Sequence, residues 1–181
     1  AVTVFMATGY YASYSYIEPF LAQVAHVDAG AITMTLTAFG CSGLLGSWLF
    51  GRLFDGHRFP FLAITLSGVP VALLLMAPAA SALVLVLAVC ALWGCCATAF
   101  NVAFQAELIK HTPADSSAVA MSIFSGLFNL GIGTGTAIGG AVVSGPGIAL
   151  IGYAGGAIAA VGVILAITVM FPAIRRAKPV A

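Results

Sequence analysis

A single carboxylate is the first side chain of this sequence that could do chemistry. Glu18 directly precedes Pro19, and residues 1–27 contain no other Asp, Glu, Lys or Arg. Tyr10 and Tyr14 lie eight and four positions before Glu18, so the three side chains share one face if the segment is helical. Such a face combines a group that can take up a proton with phenol rings that can pack against an organic ligand and hydrogen-bond to it.

Three amide side chains form a second group of candidate binding residues. Asn101 and Gln105 stand four positions apart and would share a helical face, while Asn129 lies just before a glycine-rich run. Each amide could contact a substrate. Each could instead form a hydrogen bond between helices, and Gln105 also lies close to a predicted helix end.

The composition identifies an integral membrane protein and excludes several other classes. The 181 residues are 62% hydrophobic and 6% charged, with a mean hydropathy of +1.15, whereas soluble proteins carry about 25% charged residues. Six Lys and Arg cannot form the basic surface that nucleic acid requires. The four cysteines lie in apolar runs without His or acidic residues at ligand spacing, so we predict packed thiols, no metal site and no cofactor. No nucleophile with a base and no phosphate loop is visible in the sequence, which predicts that the protein is not an enzyme.

Long uncharged stretches predict six transmembrane helices, that is, an all-α membrane protein. No Asp, Glu, Lys or Arg occurs in residues 59–106 or 116–174, and each stretch is long enough for two spans of about 20 residues. The apolar runs are continuous, which favours helices over the alternating pattern of barrel strands. The predicted spans 1 to 6, in one bundle at residues 1–181, lie near residues 2–24, 30–51, 59–78, 82–105, 117–143 and 148–172.

The distribution of charge predicts the orientation of these spans. In a six-span topology all six Lys and Arg, Lys178 included, fall on one side of the membrane. The positive-inside tendency makes that side cytoplasmic. Both termini are therefore predicted to lie in the cytoplasm, and the protein in the cell inner (plasma) membrane.

Polar residues are concentrated in two of the six spans. Span 1 carries Tyr10, Tyr14, Glu18 and several serines, and span 4 carries Asn101 and Gln105, whereas spans 3 and 6 are almost entirely apolar. In a membrane protein such unevenness separates helices that line a polar cavity from helices that face lipid. Spans 1 and 4 are therefore predicted to line a cavity, the alternative for the tyrosines being an aromatic belt at the membrane interface.

Span 5 contains a glycine pattern typical of close helix packing. Gly131, Gly135 and Gly139 recur at every fourth position, which lets the backbones of two helices approach closely. We therefore predict that this face packs against another helix and does not bind a ligand.

The segment GRLFDGHRF between spans 2 and 3 resembles the loop motif Gly-x-Leu-x-Asp-Arg-x-Gly-Arg of the major facilitator superfamily. Gly51, Leu53 and Asp55 match the motif, whereas Gly56 and Arg58 stand in place of its next Arg and Gly. A gating role is predicted for Gly51, Asp55 and Arg58, in which Asp55 pairs with a neighbouring arginine and favours one conformation of the bundle. The alternative is a solvated turn that only sets topology.

Three phrases in order carry a closer resemblance: YASYSYIEPF in span 1, MSIFSGLFNLGIGTGTAIGG in span 5 and LIGYAGGAIA at the start of span 6. Together they resemble the C-terminal six helices of bacterial sugar-efflux permeases of the drug:proton antiporter group. The resemblance implies that the chain is helices 7 to 12 of a twelve-helix transporter, with an N-terminal six-helix half as its partner. It also implies that helices 7 and 10, here spans 1 and 4, line the cavity.

The resemblance and the polar spans together predict a proton-coupled exporter of sugars or similar small polar metabolites, working by alternating access. Glu18 is predicted to carry the coupled proton or to bind substrate hydroxyl groups, the alternative being a carboxylate that only fixes helix packing. A multidrug or nucleoside exporter of the same superfamily is the nearest alternative function. The alternative of another class is a non-transporting membrane scaffold or a six-helix homodimer, which an open reading frame beginning just before Ala1 would favour.

Overall fold

A computed structural model describes residues 1–176, and within that range the chain consists of helices and short connections, with no strand. Lys178 lies outside the described residues. The 3₁₀ turns Ala114–Ser116 and Ile148–Leu150 precede the fifth and sixth spans, and a π-helical segment, Ala166–Met170, lies within the sixth. The α-helices in chain order are α1 (Val2–Tyr14), α2 (Ile17–Gln23), α3 (Ala29–Leu53), α4 (Arg58–Ala79), α5 (Leu83–Lys110), α6 (Ser117–Ser144), α7 (Ile151–Leu165) and α8 (Phe171–Arg176).

The described residues contain five continuous helical stretches that are long and apolar enough to cross a membrane. They correspond to predicted spans 2 to 6 and are Ala29–Leu53, Arg58–Ala79, Leu83–Lys110, Ala114–Ser144 and Ile148–Arg176. Predicted span 1 is divided between α1 and α2. The fold is therefore an all-helical membrane bundle.

The break between α1 and α2 falls at Ser15 and Tyr16, shortly before Pro19. Pro19 has no amide hydrogen to donate to the carbonyl of Ser15, so the α-helical hydrogen bonds cannot continue through this point. The amide of Tyr16 donates instead to the carbonyl of Ser13 at 3.1 Å, which tightens the end of α1. Pro19 then occupies the first turn of α2, where a missing amide hydrogen costs little.

The helices pack in a pattern that is symmetric between the first three spans and the last three. α1 packs against α6 and α7, α5 correspondingly packs against α3 and α4, and α4 and α7 contact each other. Exchanging spans 1, 2 and 3 for spans 4, 5 and 6 leaves this set of contacts unchanged. Each group contains an odd number of predicted spans, so this pattern of contacts is the one expected of an inverted repeat. α1 and α5 therefore hold equivalent central positions.

The buried core draws on α1, α4, α5 and α7. Trp93 on α5 is its largest fully buried side chain, and Met6, Leu66 and Ile151 from the other three helices are also fully buried. Long runs of α3 and α6, by contrast, are exposed. Exposed apolar faces suit a chain that is surrounded by lipid or by a second membrane bundle.

The predicted close approach of span 5 is confirmed at the contact between α1 and α6. Gly131, Gly135 and Gly139 are the buried residues of α6. A Cβ atom on Gly135 would lie 2.5 Å from the carbonyl oxygen of Thr8, so only glycine fits here. A hydrogen bond of 2.9 Å between the hydroxyl groups of Thr8 and Thr134 joins the same two helices.

We predict that Gly135→Ala destabilises the full-length protein by about 1 to 3 kcal/mol, because the added methyl group must push the α1 backbone away. Gly133→Ala is the matched control, since a Cβ atom on Gly133 meets nothing within 4 Å and alanine favours the helix. Thermal unfolding in one detergent should place Gly133→Ala at or above the natural protein and Gly135→Ala below it. Equal melting temperatures for the two variants would contradict the close contact.

Candidate substrate-binding site

A groove opens between α1, α5 and α6. One part, about 250 Å³ in volume, lies between Tyr10 and Tyr11 on α1 and Thr98 and Asn101 on α5. A second part, about 200 Å³, adjoins the first because Asn101 and Phe128 line both. We name the two parts together the polar groove; its polar and aromatic lining residues are Tyr10, Tyr11, Thr98, Phe100, Asn101, Gln105, Phe124, Ser125, Phe128 and Asn129.

The two central helices, α1 and α5, contact each other through large side chains and not through their backbones. This wider separation leaves room for the groove. α1 packs its backbone closely on α6 and α7, while α5 packs on α3 and α4. Large rings fill the remaining distance between α1 and α5, where Tyr10 and Trp93 meet edge to face with centroids 5.2 Å apart. The two helices that are equivalent in the inverted repeat therefore face each other across the groove.

Two hydrogen bonds orient the amide groups in the groove. Gln105 Nε2 donates to Asn101 Oδ1 at 2.6 Å, and Asn129 Nδ2 donates to the carbonyl oxygen of Ser125 at 2.9 Å. The amide hydrogens of Asn101 and the side-chain oxygens of Gln105 and Asn129 make no hydrogen bond within residues 1–176. These three amides thus offer a ligand one free donor group and two free acceptor oxygens, in addition to the hydroxyl groups of Tyr10, Tyr11, Thr98 and Ser125.

Aromatic rings form the wall of the groove on α1. Tyr10 stacks on Tyr14 with centroids 5.2 Å apart, and buried Trp93 supports both rings. Tyr14 itself lies outside the groove, with 36% of its surface exposed. Every side chain that lines the groove is uncharged, so the walls suit a neutral polar ligand better than an ion, which would find no counter-charge.

The structure brings together four of the six residues predicted to bind substrate or protons: Tyr10, Asn101, Gln105 and Asn129. Glu18 is not among them. It lies in the first turn of α2, beyond the break, with an exposed side chain that forms no ion pair within residues 1–176. A carboxylate in the first turn of a helix is favoured there by the helix dipole.

The predicted pairing of Asp55 with Arg52 or Arg58 is not found among the described residues. Arg58 forms a bidentate ion pair with Glu107 on α5, not with Asp55. Asp55 is exposed in the turn after α3, and Gly51 is exposed near the end of α3. The reason is geometric, because α4 and α5 are antiparallel neighbours and the start of one meets the end of the other.

Glu107 is the centre of a cluster that ties α4 to α5. Its side chain is only 7% exposed. The His111 ring nitrogen Nδ1 lies 2.9 Å from the carbonyl oxygen of Glu107, and Nε2 lies 3.4 Å from Arg58 Nη2. Because a carbonyl oxygen can only accept, Nδ1 carries the hydrogen and Nε2 is free to accept from Arg58. All three side chains are thus held in one network.

Sequence reasoning missed Tyr11, Phe128 and the pairing of Glu107. Tyr11 and Phe128 contact each other edge to face across the groove, with centroids 6.1 Å apart. No periodicity within one helix predicts such a contact. The pairing of Glu107 did leave a signal, because an acid near the end of one predicted span and an arginine at the start of the preceding span must lie at the same end of an antiparallel pair.

Comparison with known proteins identifies the class to which this bundle belongs. The sequence profile of the Major Facilitator Superfamily matches residues 1–181, so the chain belongs to this superfamily. A probable sugar efflux transporter of Mannheimia succiniciproducens is 35% identical over 162 residues, which cover 90% of this chain and 41% of that protein. The chain therefore spans less than half the length of this relative. Both findings point to a transporter and not to an enzyme.

Proposed function

We propose that this chain is the C-terminal six-helix half of a twelve-helix, proton-coupled exporter of sugars or similar small polar metabolites. The observation that carries the proposal is the polar groove, where uncharged amide groups on α5 and α6 lie across from tyrosine rings on α1. Membership of the superfamily and the likeness to a probable sugar efflux transporter support it.

A sugar matches the groove in two respects. Its hydroxyl groups both donate and accept hydrogen bonds, as the free amide hydrogens of Asn101 and the free oxygens of Gln105 and Asn129 require. The apolar face of a sugar ring packs well on an aromatic side chain such as Tyr10 or Phe128. Neither interaction needs a charge, in agreement with the uncharged lining.

The exposed faces around the groove support the assignment to one half of a larger transporter. The polar groove lies on the side formed by α1, α5 and α6, and α3 and α6 expose most of their length. An N-terminal bundle packed over this side would enclose the groove near the middle of the membrane. Rocking of the two bundles would then open the site alternately to the cytoplasm, where both termini lie, and to the outside of the inner membrane.

We predict that Gln105→Leu raises the KM for sugar efflux by the full-length protein about 5- to 10-fold, because the substrate loses an acceptor and Asn101 loses its orienting hydrogen bond. Gln23→Leu is the matched control, since it removes the same group from the exposed end of α2. Efflux of radiolabelled sugars from loaded proteoliposomes measures both variants. An equal effect of the two substitutions would contradict the assignment of the groove as the substrate site.

A multidrug or nucleoside exporter is the second candidate, and the aromatic wall of Tyr10, Tyr11 and Phe128 favours it. The Gln105→Leu variant separates the two functions. An aromatic drug that is held by ring stacking should be exported as well as before, or better, because the groove becomes more apolar. If the natural protein exports the aromatic drug and not the sugar, and Gln105→Leu leaves that efflux unchanged or faster, the multidrug function is correct. A full-length protein that exports neither class would favour the membrane scaffold.

A further inference from the structure

Two exposed arginines lie at one corner of the bundle, where α8 ends beside the start of α4. The guanidinium carbon of Arg175 lies 4.6 Å from the centre of the Phe59 ring, and Phe59 packs edge to face on Phe171 with centroids 5.6 Å apart. Arg176 follows directly and is also exposed. We name Phe59, Phe171, Arg175 and Arg176 the basic corner.

The positive charge of the basic corner is free to act on a ligand. Neither Arg175 nor Arg176 forms an ion pair within residues 1–176, whereas Arg58 is neutralised by Glu107. The cation–π contact with Phe59 restrains the Arg175 side chain, so less conformational entropy is lost when an anion binds. The corner is thus a preformed site of net positive charge.

The two elements that form the basic corner, α4 and the sixth span, also carry exposed apolar side chains, which together we call the apolar surface. Ile64 is 69% exposed, Ile164 is 60% exposed and Ile167 is 48% exposed. α4 and the sixth span contribute no side chain to the polar groove, so this surface faces lipid in the proposed transporter. At 1.5 Å per residue, Ile64 lies about 7.5 Å along the helix from Phe59 and Ile167 about 12 Å from Arg175. The arginines therefore sit at the depth of the lipid headgroups.

We propose that the basic corner binds an anionic phospholipid, with its phosphate on Arg175 and Arg176 and its acyl chains along Ile64 and Ile167. Guanidinium groups bind phosphate oxygens strongly, and arginines at the end of a span attract anionic lipids. A zwitterionic lipid carries a positive charge in its own headgroup, and the two arginines would repel that charge. Free phosphate would gain nothing from the apolar surface. This proposal concerns a different face from the substrate site and does not depend on the transported substrate.

Native mass spectrometry of the full-length protein in neutral detergent, titrated with phosphatidylglycerol, tests the proposal. The double variant Arg175→Gln, Arg176→Gln should raise the Kd of the tightest-bound lipid about 30-fold, and each single variant about 5-fold. Lys110→Gln is the matched control, because Lys110 is an exposed cation at the same end of the bundle but on α5. It should change the Kd less than 2-fold, roughly the effect of a solvent-screened charge that does not contact the four residues of the basic corner.

Two further measurements distinguish this site from general attraction to positive charge. Phosphatidylcholine should bind equally to the natural protein and the double variant, and inorganic phosphate should not displace phosphatidylglycerol from the natural protein. Phe59→Leu keeps every charge but removes the ring under Arg175, and it should weaken phosphatidylglycerol binding measurably. Equal losses for Lys110→Gln and the double variant, or displacement by inorganic phosphate, would overturn the proposal.

Discussion

Replacing Glu107 by alanine should destabilise the full-length protein by about 3 kcal/mol. The Glu107 side chain is 7% exposed and accepts two hydrogen bonds from Arg58, which is itself 20% exposed. Without the carboxylate, a guanidinium group largely shielded from water is left without its counter-charge. The expected loss lies at the lower end of the range for buried pairs, because Arg58 retains some access to solvent.

A double substitution separates the loss of the ion pair from the loss of packing. Replacing Arg58 and Glu107 together by methionine removes both charges and fills the space with apolar groups, so most of the stability should return. Asp55→Asn is the charge-matched control and should change stability by less than about 0.5 kcal/mol, because Asp55 is exposed. Denaturant unfolding of purified protein measures all three. A Glu107→Ala variant as stable as Asp55→Asn would show that the pair does not hold α4 to α5.

The ion pair also limits how the predicted gating motif can act. Arg58 is committed to Glu107, so it cannot at the same time neutralise Asp55. We propose that gating at the turn between α3 and α4 works through the contact between α4 and α5. Asp55 and Gly51 would then contact a partner that is not among the described residues. During a conformational change α4 and α5 would then either move together or break the Arg58–Glu107 pair. The pair therefore raises the energy of any state in which the two helices separate.

The contribution of α1 and α5 to the groove could be predicted from the sequence, whereas that of α6 was expected only for Asn129. Asn101 and Gln105 lie on one helical face because their spacing of four fixes their angle about the helix axis, and the structure places both in the groove. The same periodicity predicts the buried face of Gly131, Gly135 and Gly139. In these cases the relevant geometry lies within a single helix, which a sequence specifies directly.

Features that depend on two helices, or on a break in one, could not be predicted in this way. The spacing of Tyr10, Tyr14 and Glu18 implies one shared face only if the helix is continuous. The break at Ser15 ends that regularity, so the face of α2 that carries Glu18 no longer follows the face of α1 that carries Tyr10. Pro19 indicated a weakened helix but not where the chain would turn. Whether Arg58 forms its ion pair with Glu107 likewise depends on which helices are neighbours.

For the proposed proton-coupled transporter, the structure narrows the search for a proton-carrying group in this chain. The chain contains five acidic residues. Asp28 caps α3 by accepting a 2.8 Å hydrogen bond, and Glu107 is paired with Arg58. Asp55 lies in the turn before α4, and Asp115 lies in the 3₁₀ turn at the very start of the fifth helical stretch. A coupled proton would need a titratable group within a span that is not committed to a structural partner. Glu18 lies in predicted span 1 and forms no ion pair among the described residues, so we propose it as the candidate.

We therefore predict that Glu18→Gln abolishes proton-driven accumulation of sugar by the full-length protein, because glutamine keeps the shape of the side chain but cannot exchange a proton. Substrate binding should persist, since Glu18 lies outside the polar groove. Asp28→Asn is the matched control: it removes a carboxylate near the same end of the bundle, and asparagine still caps α3. Transport into inside-out vesicles with an imposed pH gradient measures both, and sugar exchange without a gradient reports binding. A Glu18→Gln variant that still concentrates sugar would assign the proton to another residue, and equal failure of Asp28→Asn would show that any charge loss at this end stops transport.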